Sequence, residues 1–321
     1  MTRTVDVADL VGRARDGQPR AVARLISLVE DDGPHLRAVA RALAPFTGRA
    51  RVVGLTGAPG VGKSTTTSAL VGAYRERGER VGVLAVDPSS PFSGGALLGD
   101  RVRMGEHATD PGVFIRSMAT RGRLGGLARA TPQALRVLDA AGCDVVLVET
   151  VGVGQSEVEV VSLADTTAVL LAPGAGDGVQ AAKAGVLEVG DVFVVNKADR
   201  DGADATARDL GHVISLGRRG RADASWRPPV VKAVATRGGG VADVVAALDA
   251  HRAWLREGGE LARRRVRRAA GEVEAIALER LRARMGGPRG GGAVAALAER
   301  VVAGELDPYA AADRLVEGVG A

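Results

Sequence analysis

Residues 57–64 read Gly-Ala-Pro-Gly-Val-Gly-Lys-Ser and satisfy G-x-x-x-x-G-K-[ST] at each fixed position, between an apolar run (51–56) and a helical stretch (65–74). Gly57, Gly60 and Gly62 allow backbone conformations closed to other residues. Successive N–H groups, Val61's among them, can then turn inward around an anion where a helix begins. Lys63 adds a compact positive charge, and the Ser64 hydroxyl offers an oxygen to magnesium, a hard cation that usually keeps several of its waters. Thr65 opens the helix and is counted with the phosphate-binding residues. The chemistry this predicts is binding of a magnesium-bound polyphosphate.

A second constellation specifies the base. Asn196-Lys197-Ala198-Asp199 follows an apolar strand as N-K-x-D. A carboxylate at Asp199 accepts hydrogen bonds from the N1 and N2 donors of guanine, whereas adenine presents an acceptor at N1 and no amino group at C2. A site built around such bonds rejects the wrong partner by about four to five powers of ten. The further base-contacting loop is expected after the strand at 229–233. It reads Ala233-Val234-Ala235-Thr236, so contact there is expected from the backbone N–H groups of Val234 and Ala235.

Acidic residues at strand ends are candidates for the metal. Asp87 follows an apolar strand and opens a Ser/Pro-rich turn, where it can hold magnesium or cap a helix; Asp100 admits the same two readings. Glu149 ends the strand 144–149 and is followed by Gly152, the relation seen where a strand-end acid serves magnesium and a glycine N–H meets the γ-phosphate. Val153 stands after Gly152 where many GTP hydrolases place a water-orienting glutamine, so slow unaided hydrolysis is expected. Residues 173–183 form a glycine-rich loop with Asp177 and Lys183; by spacing alone these two read as ordinary solvated residues. The Gly/Arg-rich stretch 116–127 has no mechanism derivable from its residues.

These groups need a scaffold that delivers them to one edge. Apolar runs at 51–56, 80–86, 113–117, 144–149, 167–172, 191–195 and 229–233 alternate with helical stretches. That pattern predicts an α/β fold with a mainly parallel sheet covered by helices and its ligand at the carboxyl ends of the strands. Residues 5–46 predict two or three short helices with Val22, Leu25, Ile26 and Val29 on one face. Residues 241–283 read as helical, and 293–319 as an amphipathic piece carrying Val294, Leu297, Val301, Val302, Leu315 and Val316. The organisation expected is an N-terminal helical element (1–48), a nucleotide domain (49–250) and a C-terminal helical arm (251–321). The arm either pairs two copies of the chain or packs on its own sheet.

Composition removes other classes. No apolar run in the 321 residues reaches membrane-spanning length and the N-terminus does not read as a signal peptide, so a cytoplasmic location is expected. Cys143 is the sole cysteine, which excludes an internal disulfide, and it reads as a small core residue; the four histidines are scattered, which argues against a transition-metal site. The formal charge is +5, and the one dense basic run, Arg263-Arg-Arg-Val-Arg-Arg268, reads as a solvated helix face or a contact for an acidic protein in preference to RNA. Lysine occurs only at 63, 183, 197 and 232, as expected if arginine is excluded where a compact ammonium is needed.

Taken together, residues 56–65 (TGAPGVGKST), 86–104 (VDPSSPFSGGALLGDRVRM), 114–128 (FIRSMATRG, Arg123, LGGLA), 148–157 (VETVGVGQSE) and 196–199 (NKAD) resemble the methylmalonyl-CoA mutase-associated GTPases, the family of bacterial MeaB and its human counterpart, also labelled ArgK. The resemblance runs from about Val7 to Val319. It implies a phosphate-loop NTPase of the SIMIBI type and a chaperone that hydrolyses GTP while loading, protecting or releasing adenosylcobalamin in a B12-dependent acyl-CoA mutase. It also implies GTP or GDP with Mg2+ and no cobalamin site of the chain's own. Partners implied are the mutase and a second copy of the chain, with no nucleic acid and no membrane. By motif, the resemblance gives Lys63 and Ser64 to phosphate and magnesium, Asp87, Asp100 and Glu149 to the metal, and Asn196, Lys197 and Asp199 to guanine. The loop 173–183 looks like the family's additional switch, which counts Asp177 and Lys183 with Lys63 and Glu149 as catalytic. Val234, where serine is commoner, and the glycine-rich joint at 286–292 depart from the pattern. Two alternatives stay open: a small-molecule kinase, as the ArgK label suggests, and a metal-insertion GTPase, which normally carries Cys/His clusters.

Overall fold

The computed structural model describes residues 5–31, 33–87, 105–107, 109–119, 127–150, 162–174, 189–217, 225–284 and 292–320. The chain divides into two units, residues 1–261 and 262–321.

Seven strands form one sheet: β1 (Arg51–Thr56), β2 (Val81–Asp87), β3 (Val113–Ala119), β4 (Val145–Thr150), β5 (Thr166–Leu171), β6 (Val192–Val195) and β7 (Val230–Lys232). Their order is β3-β2-β4-β1-β5-β6-β7, and each neighbouring pair is parallel. The α/β reading and the strand positions taken from hydropathy are therefore found. β1, β5 and β6 are buried almost end to end because helices cover both faces, which is why these strands read as continuous apolar runs with no alternation.

On one face pack α1 (Val7–Arg15), α2 (Pro19–Glu30) and α3 (Leu36–Leu43) together with α5 (Leu127–Ala140). Val22, Leu25, Ile26 and Val29, the face expected for the N-terminal element, are all buried there against Leu135, Leu138, Val146 and Val148. Asp6 caps α1 by accepting from the Asp9 N–H, and Gly17 takes φ +79° to turn the chain into α2. The opposite face is covered by α4 (Lys63–Glu76) and α7 (Val241–Glu257), whose Leu70, Val71, Tyr74, Val244, Val245 and Leu248 meet Val53, Leu55, Val83 and Leu147. Cys143 is a core residue, as expected, and its burial pushes the thiol up to about 12.

α6 (Ala203–Gly217) lies between β6 and β7, with Leu210 and Ala203 packed on Phe193 and Val195. The stretch read as helical from 241 to 283 consists of two helices: α7 ends at Glu257 and α8 spans Glu260–Arg284, because Gly258 and Gly259, the latter at φ +67°, interrupt the run. The second unit continues with α9 (Gly292–Val302) and α10 (Pro308–Gly320), two helices in place of the single amphipathic piece expected. Val302 is 89% exposed and Val316 64%.

Because every strand is parallel, all carboxyl ends lie on one sheet edge. The turn after β1, Glu149 on β4 and the residues following β6 and β7 consequently meet there. At the other edge a cavity of about 460 Å³, lined by Arg15, Phe46, Arg49, Asp139, Cys143 and Arg252 among others, is separate from this site.

Candidate functional site

The turn after β1 has the conformations its glycines predict. Gly57, Gly60 and Gly62 take φ of +142°, +79° and +97°. Two of the three also lie where a side chain has no room: a Cβ on Gly57 would fall on the Leu170 carbonyl oxygen of β5, and one on Gly62 would fall on Asn196 Nδ2. Gly62 caps α4 in the left-handed region, and the first turn of that helix presents Lys63, Ser64 and Thr65. Thr65 is exposed, whereas Ser64 and Lys63 are buried. Lys63 Nζ donates to Gly57 O at 2.6 Å and Ala58 O at 3.1 Å, so the ammonium is held across the mouth of the loop.

Glu149 arrives at the same helix from β4, which pairs directly with β1 in register Leu55↔Glu149. It is only 4% exposed, and both carboxylate oxygens meet α4: Ser64 Oγ donates to Oε1 at 2.5 Å, and Thr67 Oγ1 lies 2.8 Å from Oε2. A buried carboxylate held by hydroxyls one helical turn apart is a hard, oxygen-only donor set. That suits Mg2+, which takes one or two carboxylates and completes its octahedron with water and phosphate. Among the described residues no three His, Cys, Asp or Glu side chains cluster as a metal site, so a transition-metal centre has no support there.

The base-reading residues follow β6. Asn196 is buried and spans two loops: Nδ2 donates to Val61 O at 2.9 Å, and Oδ1 accepts from the Ala235 N–H at 3.2 Å. Lys197 has φ +57°, a conformation that costs a non-glycine residue about 1–2 kcal/mol. Two contacts hold it there, its Nζ on Gly60 O at 2.5 Å and the Ala198 N–H on Ala233 O at 3.0 Å. Asp199 stands beyond them, its side chain 41% exposed and 4.0 Å from Arg237 Nη1. Val234 and Ala235 lie beside Asn196 as the strand order requires. Their N–H groups are engaged within the chain, Val234 with Gly239 O at 2.8 Å and Ala235 with Asn196 Oδ1.

Gly57, Gly60, Val61, Gly62, Lys63, Ser64, Glu149, Asn196, Lys197 and Asp199 are thus brought to one edge of the sheet. Asp100, Gly152, Asp177 and Lys183 lie outside the described residues, and for Asp87 only the backbone is described, at the end of β2 beside β4. Sequence reasoning passed over Thr67, whose one available signal is its position three residues after Ser64 on the same helix face. It also passed over residues 105–107 and 109–112, which are pinned to α4. Ser68 donates to Glu106, His107 Nε2 lies 3.0 Å from Ser68 O, and Arg75 grips Asp110 with two bonds of 2.8 and 3.0 Å. The Arg75 guanidinium and the Gly112 N–H hold the Asp110 carboxyl below its usual range.

A glycine-rich loop at a helix start, a strand-end carboxylate on the loop's serine, and an N-K-x-D acid beside them on a parallel sheet define a phosphate-loop GTPase. The chain belongs to the family described as methylmalonyl-CoA mutase-associated GTPase MeaB, which matches residues 22–288. It is 47% identical to a protein of Pyrococcus abyssi over 98% of this chain and 97% of that one. It is 37% identical to the mouse methylmalonic aciduria type A homolog, mitochondrial, over 78% of this chain and 64% of that one. The crystal structure of a protein named LAO/AO transport system kinase superposes with a TM-score of 0.69 at 26% identity, covering 99% of this chain and all of the other. Family and fold are therefore those expected, and the protein is a GTP hydrolase of that family. No helix among the described residues is long and apolar enough to cross a membrane.

Proposed function

We propose that this GTPase is a cytoplasmic chaperone of an adenosylcobalamin-dependent acyl-CoA mutase, coupling GTP binding and hydrolysis to loading, protection or release of the cofactor. The observation that carries the nucleotide half of this reading is Asn196, which ties the phosphate loop to the loop after β7 and leaves Asp199 accessible beside them. The mutase half rests on the family's association with methylmalonyl-CoA mutase. Guanine is read by Asp199, phosphates are held by the loop and Lys63, and magnesium is held by Ser64 and Glu149 with Asp87 and Asp100. No cobalamin site is assigned to this chain.

The small-molecule kinase reading, which the name of the LAO/AO structural neighbour echoes, calls for a site that accepts ATP. The carboxylate of Asp199 disfavours adenine at the base position, which leaves that reading weaker. The metal-insertion reading lacks a Cys/His cluster among the described residues.

Hydrolysis is slow alone and is accelerated by the mutase, with Lys183 and Asp177 acting at the γ-phosphate. A partner that completes the charge stabilisation at the γ-phosphate contributes several powers of ten in phosphate-loop hydrolases. The test is steady-state phosphate release with and without saturating mutase, on wild type and Lys183→Ala. The expected result is a variant with unchanged GDP affinity and lost stimulation. A mutase that fails to accelerate the wild type overturns the chaperone reading, and equal acceleration of both proteins overturns only the role of Lys183.

Homodimerisation through the second unit belongs to the same reading. Val266, Val273, Ile276 and Leu281 of α8 are each 45% or more exposed, and apolar surface gathered on one element is what an interaction site presents. Light scattering at micromolar concentration should give twice the chain mass.

A further inference from the structure

The family motifs account for Ser64 and Glu149 but leave unused the third residue of the threonine run 65–67. Thr67 is fully buried, and a valine would fill the same volume without bringing a hydroxyl into the core. The hydroxyl has two specific neighbours. It lies 3.0 Å from Lys63 O, one turn back along α4, and 2.8 Å from Glu149 Oε2. Both neighbours are acceptors and the hydroxyl carries one proton, so the shorter contact, to the charged carboxylate, takes it and the Lys63 carbonyl shares it only weakly. Thr66 makes the comparable back-bond to Gly62 O at 2.9 Å, and the structure gives its hydroxyl no contact with Glu149.

Ser64 and Thr67 occupy positions i and i+3 and so share a face of α4. Together they take the two oxygens of one carboxylate, fixing its plane as well as its position. The serine hydroxyl is also the group that phosphate-loop chemistry gives to magnesium, so it cannot be a dedicated anchor. Thr67 has no such second task.

We propose that Thr67 is a positioning residue for the metal site: its hydroxyl holds Glu149 Oε2 against α4 so that the carboxylate stays oriented toward the magnesium position beside Ser64. This rests on the assignment of Glu149 to the metal site. A hydrogen bond to a charged group is stronger than one between neutral groups and shortens accordingly. Removing it frees the carboxylate to rotate and weakens its hold on magnesium, without touching the groups that bind phosphate.

The experiment titrates magnesium against full-length protein and follows GDP affinity by calorimetry, with a parallel series in EDTA. For Thr67→Val the magnesium concentration giving half the effect should rise roughly tenfold, the size of one lost hydrogen bond to a charged group, while GDP affinity in EDTA stays within about twofold. Thr67→Ser, which keeps the hydroxyl, should return the midpoint toward wild type. Thr67→Ala carries the same expectation as Thr67→Val if the valine protein does not fold. An unmoved magnesium midpoint, with or without a lower melting temperature, is the result of a purely structural hydroxyl and overturns the proposal; so does a serine variant indistinguishable from the valine one. Glu149→Ala separates the two layers. If it too leaves the midpoint unmoved, the metal assignment itself fails; if it moves the midpoint and Thr67→Val does not, only the role of Thr67 fails.

Discussion

Replacing Asn196 with alanine tests whether the nucleotide site is one connected object. The side chain joins the phosphate loop, through Val61 O, to the loop after β7, through the Ala235 N–H, in a position only 3% exposed. Truncation leaves a buried carbonyl and a buried N–H without their partner, and each unsatisfied group costs about 1–3 kcal/mol. The total is about 2–6 kcal/mol against a stability that for most proteins is about 5–15 kcal/mol. For a domain of this size that lowers the melting temperature by roughly 4–24 °C. Circular dichroism should show this fall without nucleotide, and GDP should recover only part of it, because the ligand binds a loop that is no longer pre-set. Asn196→Asp separates packing from hydrogen bonding. It keeps the shape but turns a carboxylate oxygen toward Val61 O, so it should bind GDP more weakly than the alanine variant. If Asn196→Ala melts within a degree of wild type and keeps its GDP affinity, the two loops are independent and the reasoning is wrong.

Gly57→Ala should yield protein that does not bind GDP, since the added methyl meets a backbone carbonyl of β5 that cannot yield; calorimetry on soluble material checks this, and wild-type affinity would contradict it. Asp199→Asn should weaken GTP and admit xanthosine triphosphate, because the amide presents a donor where the carboxylate accepted; tight ATP binding by the wild type would refute the guanine assignment. Cys143 should resist alkylation by iodoacetamide at pH 8 in the native state and react fully in guanidinium, because burial raises its pKa from 9.0 to about 12. The sign follows: the folded state favours the neutral thiol, so this contribution to stability is present below pH 9 and is lost as pH rises toward 12. Native-state labelling at the unfolded rate would show the site to be open.

Much of this protein was legible in its sequence for a local reason. A phosphate loop is a contiguous backbone conformation that only glycines at fixed spacing can adopt, so Gly57, Gly60 and Gly62 announce it without tertiary information. The seven strands were legible because a parallel sheet covered on both faces makes each strand apolar throughout. Once the sheet is parallel, every strand ends on one edge, and Glu149, Asn196 and the phosphate loop must converge. What hydropathy could not determine was which polar groups pair. Thr67 and Glu149 are 82 positions apart, and Asn196 and Val61 are 135 apart. Their pairing depends on strand order and on the register of β1 with β4, which placed the carboxylate against the first two turns of α4. His251 reads in the sequence only as one of four scattered histidines, yet it is fully buried on α7 in a cluster of three rings with Trp226 and Trp254, with Nδ1 2.9 Å from the Thr166 hydroxyl. Periodicity gives the face of a helix that is covered; only the packed sheet decides what covers it.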